Sequence, residues 1–178
     1  NGRSYLIPTE TPSSNPADLE TLTYGVYCRK DILEALEIDP ASITSEDALY
    51  DLIVKISEGG FKDAVGNPGI PAGAWHSGWR YSDLVAGFDT GYHLSNYRED
   101  ENGNVIHYAF SEEMKNKILW MRRLVSEGLF DVECFTQNST TAQEKFAVGR
   151  IGVYGGGAQA TELFNTLYKT NPEMEYTM

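Results

Sequence analysis

Apolar residues recur at helical spacing over residues 44–57, and this pattern predicts a helix there. Four of them fall at i, i+3, i+4 and i+7, the spacing of an amphipathic helix. They are Leu49, Leu52, Ile53 and Ile56. Thr44, as the N-cap, and Asp47 at the third helical position resemble a capping box that starts this helix.

Residues 112–127 predict a second, longer helix. Ser111 precedes it as a cap, acidic residues occupy its first turn, and Gly128 follows as a stop signal. A shorter helix is expected to begin at residues 29–31 and to end at Pro40. Three more are expected over residues 79–88, 140–148 and 158–169.

Alternating or continuous apolar runs predict strands over residues 4–8, 22–28 and 151–154. Residues 92–97 and 105–110 are expected to form a hairpin with Asn102-Gly103 at its tip, because Asn-Gly favours tight hairpin turns. The segment 59–78 is rich in Gly and Pro and is predicted to be a long loop. Alternating strands and helices indicate a helix-rich α/β fold, in one domain over residues 1–178 with the hairpin inserted at 90–110.

The chain is strongly acidic, and this excludes some partners. Its formal net charge is −12 and its pI about 4.6, so neither nucleic acid nor an anionic membrane is expected to bind it. Cys28 and Cys134 lack metal-ligand spacing and are expected to be reduced thiols. The three histidines form no metal motif, so no metal site is predicted.

The segment that follows the last predicted strand is compatible with two functions. Gly155, Gly157 and Ala160 have the G-x-G-x-x-A spacing of a dinucleotide-binding turn. The same glycines could instead form the backbone wall of a sugar-binding cleft. A dinucleotide fold needs an acidic residue about 20 positions on and further strands behind it. Only Glu173 and Glu175 could serve as that acid, and the sequence ends at residue 178, which favours the cleft.

Catalysis remains an alternative. A sugar hydrolase needs two carboxylates across a cleft, and the chain contains 26 Asp and Glu residues. Most of them, however, fall in predicted loops or first helical turns, where solvation or capping explains them. Ser77 lacks the G-x-S-x-G context of a hydrolase nucleophile. A carbohydrate-active enzyme or carbohydrate-binding domain is thus kept as the second hypothesis, and a nucleotide-binding enzyme as the third.

Several weak motifs occur in an order that resembles the extracellular solute-binding proteins of ABC importers, in the family 1 group that carries sugars and oligosaccharides. One is the Tyr-rich strand with its Arg-Lys-Asp helix start. The segments that carry the resemblance are 2–8, 24–31, 44–57, 103–108, 119–131 and 146–153. Val153 departs from this pattern, since the family usually has Met at that position.

The resemblance implies a periplasmic-binding-protein-like fold of type II, in which two lobes close on a solute. It makes this chain most of the second lobe of a protein of roughly twice its length, with residues 1–21 as an inter-lobe strand and loop. It also implies that a membrane permease is the partner and that no cofactor is used. The expected location is the Gram-positive cell surface, as a lipoprotein anchored outside this segment, or else the periplasm.

Candidate ligand-binding residues follow from the resemblance, which places the loop before residue 79 and the end of the strand 151–154 at the cleft. Sugars are recognised by aromatic rings together with polar and backbone groups. Trp79 and Tyr154 are expected to stack on the ligand or form the wall. The other candidates are Trp75, His76, Arg29, Gly155, Gly156 and Gly157.

Overall fold

The structure is a computed structural model, and it describes residues 25–75, 84, 97–100, 102–156 and 161–177. Within these ranges the helices are α1 (Lys30–Ala35), α2 (Glu46–Gly59), α3 (Glu112–Ser126), α4 (Ser139–Ala147) and α5 (Thr161–Thr170). The strands are β1 (Gly25–Arg29), β2 (Ile70–Gly73), β3 (Tyr97–Glu99), β4 (Val105–His107), β5 (Ile151–Gly156) and β6 (Tyr176–Thr177). The α/β fold class predicted from the sequence is confirmed.

Four of these strands form one mixed sheet in the order β2-β5-β1-β6. β5 is parallel to β2, with Gly73 opposite Tyr154, and antiparallel to β1, with Tyr27 opposite Tyr154. β2 and β5 therefore end at the same end of the sheet, where β1 begins. We call this the carboxyl end of the sheet, and the opposite end, where β1 reaches Arg29, the amino end.

Two clusters of buried side chains hold the helices against this sheet. The first contains the apolar stripe of α2 and buried residues of β1, β2 and α3, which include Cys28, Ala72 and Leu124. The second is mainly aromatic and lies among β5, α4 and α5. Its buried members are Phe146, Ile151, Tyr154 and Leu163, and its half-buried neighbours are Tyr27, Ile70, Trp75, Phe164 and Tyr176.

The predicted helix over residues 44–57 is confirmed as α2, but its cap was assigned one residue too early. Ser45, not Thr44, is the N-cap, and its hydroxyl accepts a hydrogen bond from the Ala48 N–H at 3.2 Å. A capping hydroxyl must face the third helical N–H, and in this register Ser45 does so. Gly60 ends the helix in the left-handed conformation at φ 61°.

The caps of α3 agree with the prediction. The Ser111 hydroxyl accepts a hydrogen bond from the Met114 N–H at 3.2 Å, and Gly128 follows the helix at φ 71°. The hairpin is confirmed as β3 and β4, with Gly103 at φ 80° in its turn. Its first strand runs to Glu99 and meets the predicted strand 92–97 only at Tyr97, because residues 92–96 lie outside the described residues. The predicted strand 105–110 is too long, because residues 108–110 form a 3-10 turn that the His107 side chain caps.

Two strands were missed by sequence reasoning. β2 lies in the segment predicted to be loop, and Pro71 within it weakens the strand signal. Its Ala72 N–H donates to the Leu129 carbonyl at 3.1 Å, and the Asp131 N–H donates to the Ala72 carbonyl at 2.9 Å, so the chain after α3 supports its outer side. β6 has two residues, too few for a periodic pattern. The predictions for residues 4–8, 1–21 and 157–160, and for 79–88 apart from Leu84, lie outside the described residues.

Candidate functional site

The carboxyl end of the sheet brings together several residues predicted to bind ligand. Trp75 follows β2 by two residues, and β5 ends with Tyr154, Gly155 and Gly156. Gly25, the first residue of β1, pairs with Gly156. In open α/β sheets ligands bind beyond the carboxyl ends of the strands. This end of the sheet is therefore the candidate functional site.

Trp75 is half-buried and rests on the aromatic cluster. Its ring centroid lies 5.9 Å from that of Phe146, with the two planes inclined by 36°. Phe146 comes from α4 and is almost fully buried. The core thus supports the indole from one side, which restricts the motion of the Trp75 side chain.

Tyr154 lies inside the wall of the site rather than on its surface. The residue is only 2% exposed, and its ring packs edge to face on Phe146, with centroids 4.6 Å apart. The rings of Tyr27 and Phe164 also lie near it, at centroid distances of 6.4 and 6.1 Å. In this arrangement Tyr154 supports the wall, and direct stacking on a ligand stays a prediction.

Gly156 ends β5 under the ring of Tyr154. A Cβ atom placed on Gly156 would overlap three ring-end atoms of Tyr154, namely Cε1, Cζ and the hydroxyl oxygen. Residues i and i+2 of a strand point to the same face, so the ring covers the volume that a side chain at 156 would need. Sequence reasoning explained this glycine by ligand approach, and the structure adds a requirement from within the strand.

Arg29, another predicted ligand contact, lies at the amino end of the sheet and is 2% exposed. Its Nε donates to Asp31 at 3.0 Å, and its Nη2 also bonds this carboxylate. Its Nη1 donates to the carbonyls of Lys62 at 2.8 Å and Gly149 at 2.6 Å. These bonds tie β1 to the loops after α2 and α4, which is a structural role at a distance from the candidate site.

A cavity of about 290 Å³ also lies at the amino end, where Arg29, Lys62, Arg150, Gly69 and Gly152 are among its lining residues. Arg29 is neutralised there by the bidentate contact with Asp31. The cavity lies at the end of the sheet opposite to the carboxyl end, where open α/β sheets bind ligands. The cavity is therefore separate from the candidate site at the carboxyl end.

A buried ion pair links α4 to the segment after α3. The Nζ of Lys145 lies 2.7 Å from Oδ2 of Asp131 and 2.8 Å from Oε2 of the exposed Glu133. The hydrogen bond from Lys145 lowers the pKa of the Glu133 carboxyl. Burial raises the pKa of the nearby Cys134 thiol to about 12, so this thiol stays neutral.

Three of the predicted site residues, Trp79, His76 and Gly157, lie outside the described residues. Tyr27, Phe146 and Phe164 were missed by sequence reasoning as supports of the site. Alternation placed Tyr27 on a strand, but its neighbours depend on sheet register, which the sequence does not give. Among the described residues no group of three or more His, Cys, Asp or Glu side chains could hold a metal ion. No helix in the described part of the chain is both long and apolar enough to cross a membrane.

Comparison with solved structures identifies the fold. The alginate-binding protein AlgQ2 superposes with a TM-score of 0.65 at 22% identity, over 87% of this chain and 31% of AlgQ2. An HMO-binding, ABC-transporter-associated solute-binding protein from Bifidobacterium longum infantis gives 0.61 at 21% identity, over 87% of this chain and 33% of that protein. The Streptococcus pneumoniae ABC-transporter substrate-binding protein FusA, in complex with kestose, gives 0.58 at 19% identity, over 78% and 28%.

These similarities confirm that the chain has the fold of solute-binding proteins of ABC transporters. No protein-family model matches the sequence, and no curated protein sequence matches it. The chain spans about a third of the length of these structures, 28 to 33%. The sequence resemblance implied a protein of roughly twice the length of this chain, and that length stays a prediction.

Proposed function

We propose that this chain is part of an extracellular solute-binding protein of an ABC importer, which binds an oligosaccharide and presents it to a membrane permease. The chain supplies most of one lobe, and the ligand lies between this lobe and a second one. The observation that carries the proposal is the superposition of 78 to 87% of the chain on three binding proteins of such substrates.

The candidate site has the chemistry that this function needs. Trp75 offers an indole supported by Phe146, and aromatic rings stack on the apolar C–H faces of sugars. The ends of β2 and β5 add main-chain groups at Gly73, Gly155 and Gly156, and such groups can hydrogen-bond sugar hydroxyls. Trp79, His76 and Gly157 extend this set in sequence, and we keep them as ligand contacts in the proposal.

The mechanism is binding followed by closure. A ligand that touches both lobes stabilises the closed form by its differential affinity for the two forms, and the permease recognises the closed form. The protein acts by binding and not by catalysis, and uses no cofactor. This role places it outside the cytoplasmic membrane, as a lipid-anchored protein or in the periplasm.

The proposal is tested by titrating the complete protein with kestose, stachyose and alginate oligosaccharides in a calorimeter, and with peptides and amino acids as other solute classes. We expect one saturable site for at least one of the sugars and no change of the sugar during incubation. NAD serves as the control for the glycine-turn alternative. Binding of peptides alone would remove sugar from the proposal, and saturable NAD binding or turnover of a bound sugar would overturn it.

A further inference from the structure

The ring of Tyr154 and the backbone of Gly156 form one packed unit at the carboxyl end of the sheet. We propose that Tyr154 is a positioning residue, whose ring holds the Gly155–Gly156 backbone in place as the wall of the ligand site without contacting the ligand itself. This inference rests on the proposed function. It explains why residue 156 must be glycine, since the ring of Tyr154 occupies the space that a side chain there would need.

The geometry of β5 supports this assignment. Tyr154 and Gly156 share a face of the strand, and the ring of Tyr154 lies where the first side-chain atom of residue 156 would be. An aromatic ring that covers a neighbouring glycine is a known way to stabilise a strand that a glycine weakens. Here the ring of Tyr154 shields Gly156, the last residue of β5, whose main chain carries no side chain of its own.

The position of the ring is itself fixed by the core. Phe146 contacts Tyr154 edge to face at 4.6 Å, and the opposite strand places Tyr27 beside it at 6.4 Å. The same Phe146 supports Trp75 at 5.9 Å. One buried ring from α4 thus sets the positions of both sides of the site, the residue after β2 and the end of β5.

A double-mutant cycle in the complete protein tests the proposal. Gly156→Ala places a methyl group against the Tyr154 ring and displaces the ring or the wall, so we expect the affinity for the sugar probe, stachyose or kestose, to fall by about tenfold or more. In a Tyr154→Ala background the same substitution meets no ring, so we expect it to change the affinity by less than about twofold. Tyr154→Phe keeps the ring and should bind within about threefold of the unsubstituted protein.

Gly152→Ala is the matched control. It is a glycine of the same strand at the amino end of the sheet, and its Cβ would lie 2.9 Å from the Pro71 carbonyl oxygen. This variant should unfold more readily and yet keep the sugar affinity, because it does not touch the ring of Tyr154. The affinity measurement therefore separates positioning from a general loss of stability.

The urea unfolding midpoint of the same variants gives a second readout that needs no ligand. If no sugar binds the unsubstituted protein, the proposed function fails and the inference is overturned with it. An effect of residues 154 and 156 on the unfolding midpoint alone would not support the positioning of a ligand wall. If sugar binds but Gly156→Ala costs as much affinity without the ring as with it, the inference alone is overturned. A loss of affinity in Tyr154→Phe equal to that in Tyr154→Ala would indicate direct contact through the hydroxyl and would also overturn it.

Discussion

The guanidinium group of Arg123 lies over the ring of Tyr50, with its central carbon 3.5 Å from the ring centroid. Glu127 joins the pair, because its carboxylate accepts hydrogen bonds from the Tyr50 hydroxyl and from Nε of Arg123 at 3.2 Å. Tyr50 belongs to α2, whereas the other two residues lie on or just after α3. The three side chains thus link these helices at the protein surface.

We expect Arg123→Ala to lower the thermal midpoint of the protein, because it removes both the cation–π contact and the partner of Glu127. The neighbouring residue of the same helix, exposed Arg122, provides the matched control, and Arg122→Ala should have a smaller effect. Thermal unfolding monitored by circular dichroism measures both. Equal midpoints for the two variants would mean that the surface link does not contribute to stability.

The same link should weaken in acid. The hydrogen bond from Tyr50, followed by the interaction with Arg123, lowers the pKa of Glu127 below its usual 4.5. A carboxyl group with a lowered pKa in the folded state stabilises the fold above the unfolded-state pKa, and this contribution disappears as pH falls through the folded-state value. The difference in midpoint between Arg123→Ala and the unsubstituted protein should therefore be present at pH 7 and shrink below about pH 4. A difference that grows on acidification would contradict this.

The buried pair of Lys145 and Asp131 should be far more sensitive to substitution. The two residues are 6% and 5% exposed, and removal of one partner leaves the other charge buried. Lys145→Met should cost about 3 to 5 kcal/mol of unfolding free energy, measured by urea unfolding at pH 7. The double variant Lys145→Met/Asp131→Leu should recover part of the loss, because no uncompensated charge remains. A double variant that loses more unfolding free energy than the two single variants together would contradict the pairing.

The elements with a local signal were predictable from the sequence, and those set by register were not. The stripe of α2 and the Ser111 cap of α3 are local patterns, and both were found. β2 was missed for two reasons. Pro71 weakens its strand signal, and the residues that hydrogen-bond to it, Leu129 and Asp131, lie far along the chain. The glycines of β5 were recognised as important, yet the sequence could not show that the Tyr154 ring covers Gly156. That contact depends on side-chain packing against Phe146.

The role of Arg29 also depends on contacts with residues far along the chain, and its replacement should destabilise the fold. Its guanidinium donates hydrogen bonds to the Asp31 carboxylate and to the carbonyls of Lys62 and Gly149. Lysine cannot reproduce this planar set of donors, so Arg29→Lys should lower the unfolding free energy by about 2 to 4 kcal/mol. Under conditions where the variant stays folded, its affinity for the sugar probe should be unchanged. A selective loss of affinity with normal stability would instead support the sequence-based expectation that Arg29 contacts the ligand.

Trp75 is expected to contact the ligand directly. Trp75→Ala should weaken sugar binding by about tenfold or more, since a stacked aromatic ring supplies about 1.5 kcal/mol or more through contact and buried area. Trp75→Phe keeps an aromatic ring and should lose less. Tyr97→Ala, which removes an exposed ring of the hairpin, is the control and should bind normally. Calorimetric titration with stachyose or kestose measures all three, and equal affinities for Trp75→Ala and Tyr97→Ala would exclude Trp75 from the site.

Cys28 and Cys134 should be unreactive in the folded protein. Both are buried and free, and burial, more than the nearby Asp31 or Asp131, raises the pKa of each thiol to about 12. The thiolate is the reactive form, so iodoacetamide at pH 8 should label these cysteines only as fast as the protein opens. In urea both should be labelled promptly without a reductant, as followed by peptide mass mapping. Rapid labelling of either thiol in the folded protein would contradict its burial, and protection of both in urea would indicate a disulfide between them.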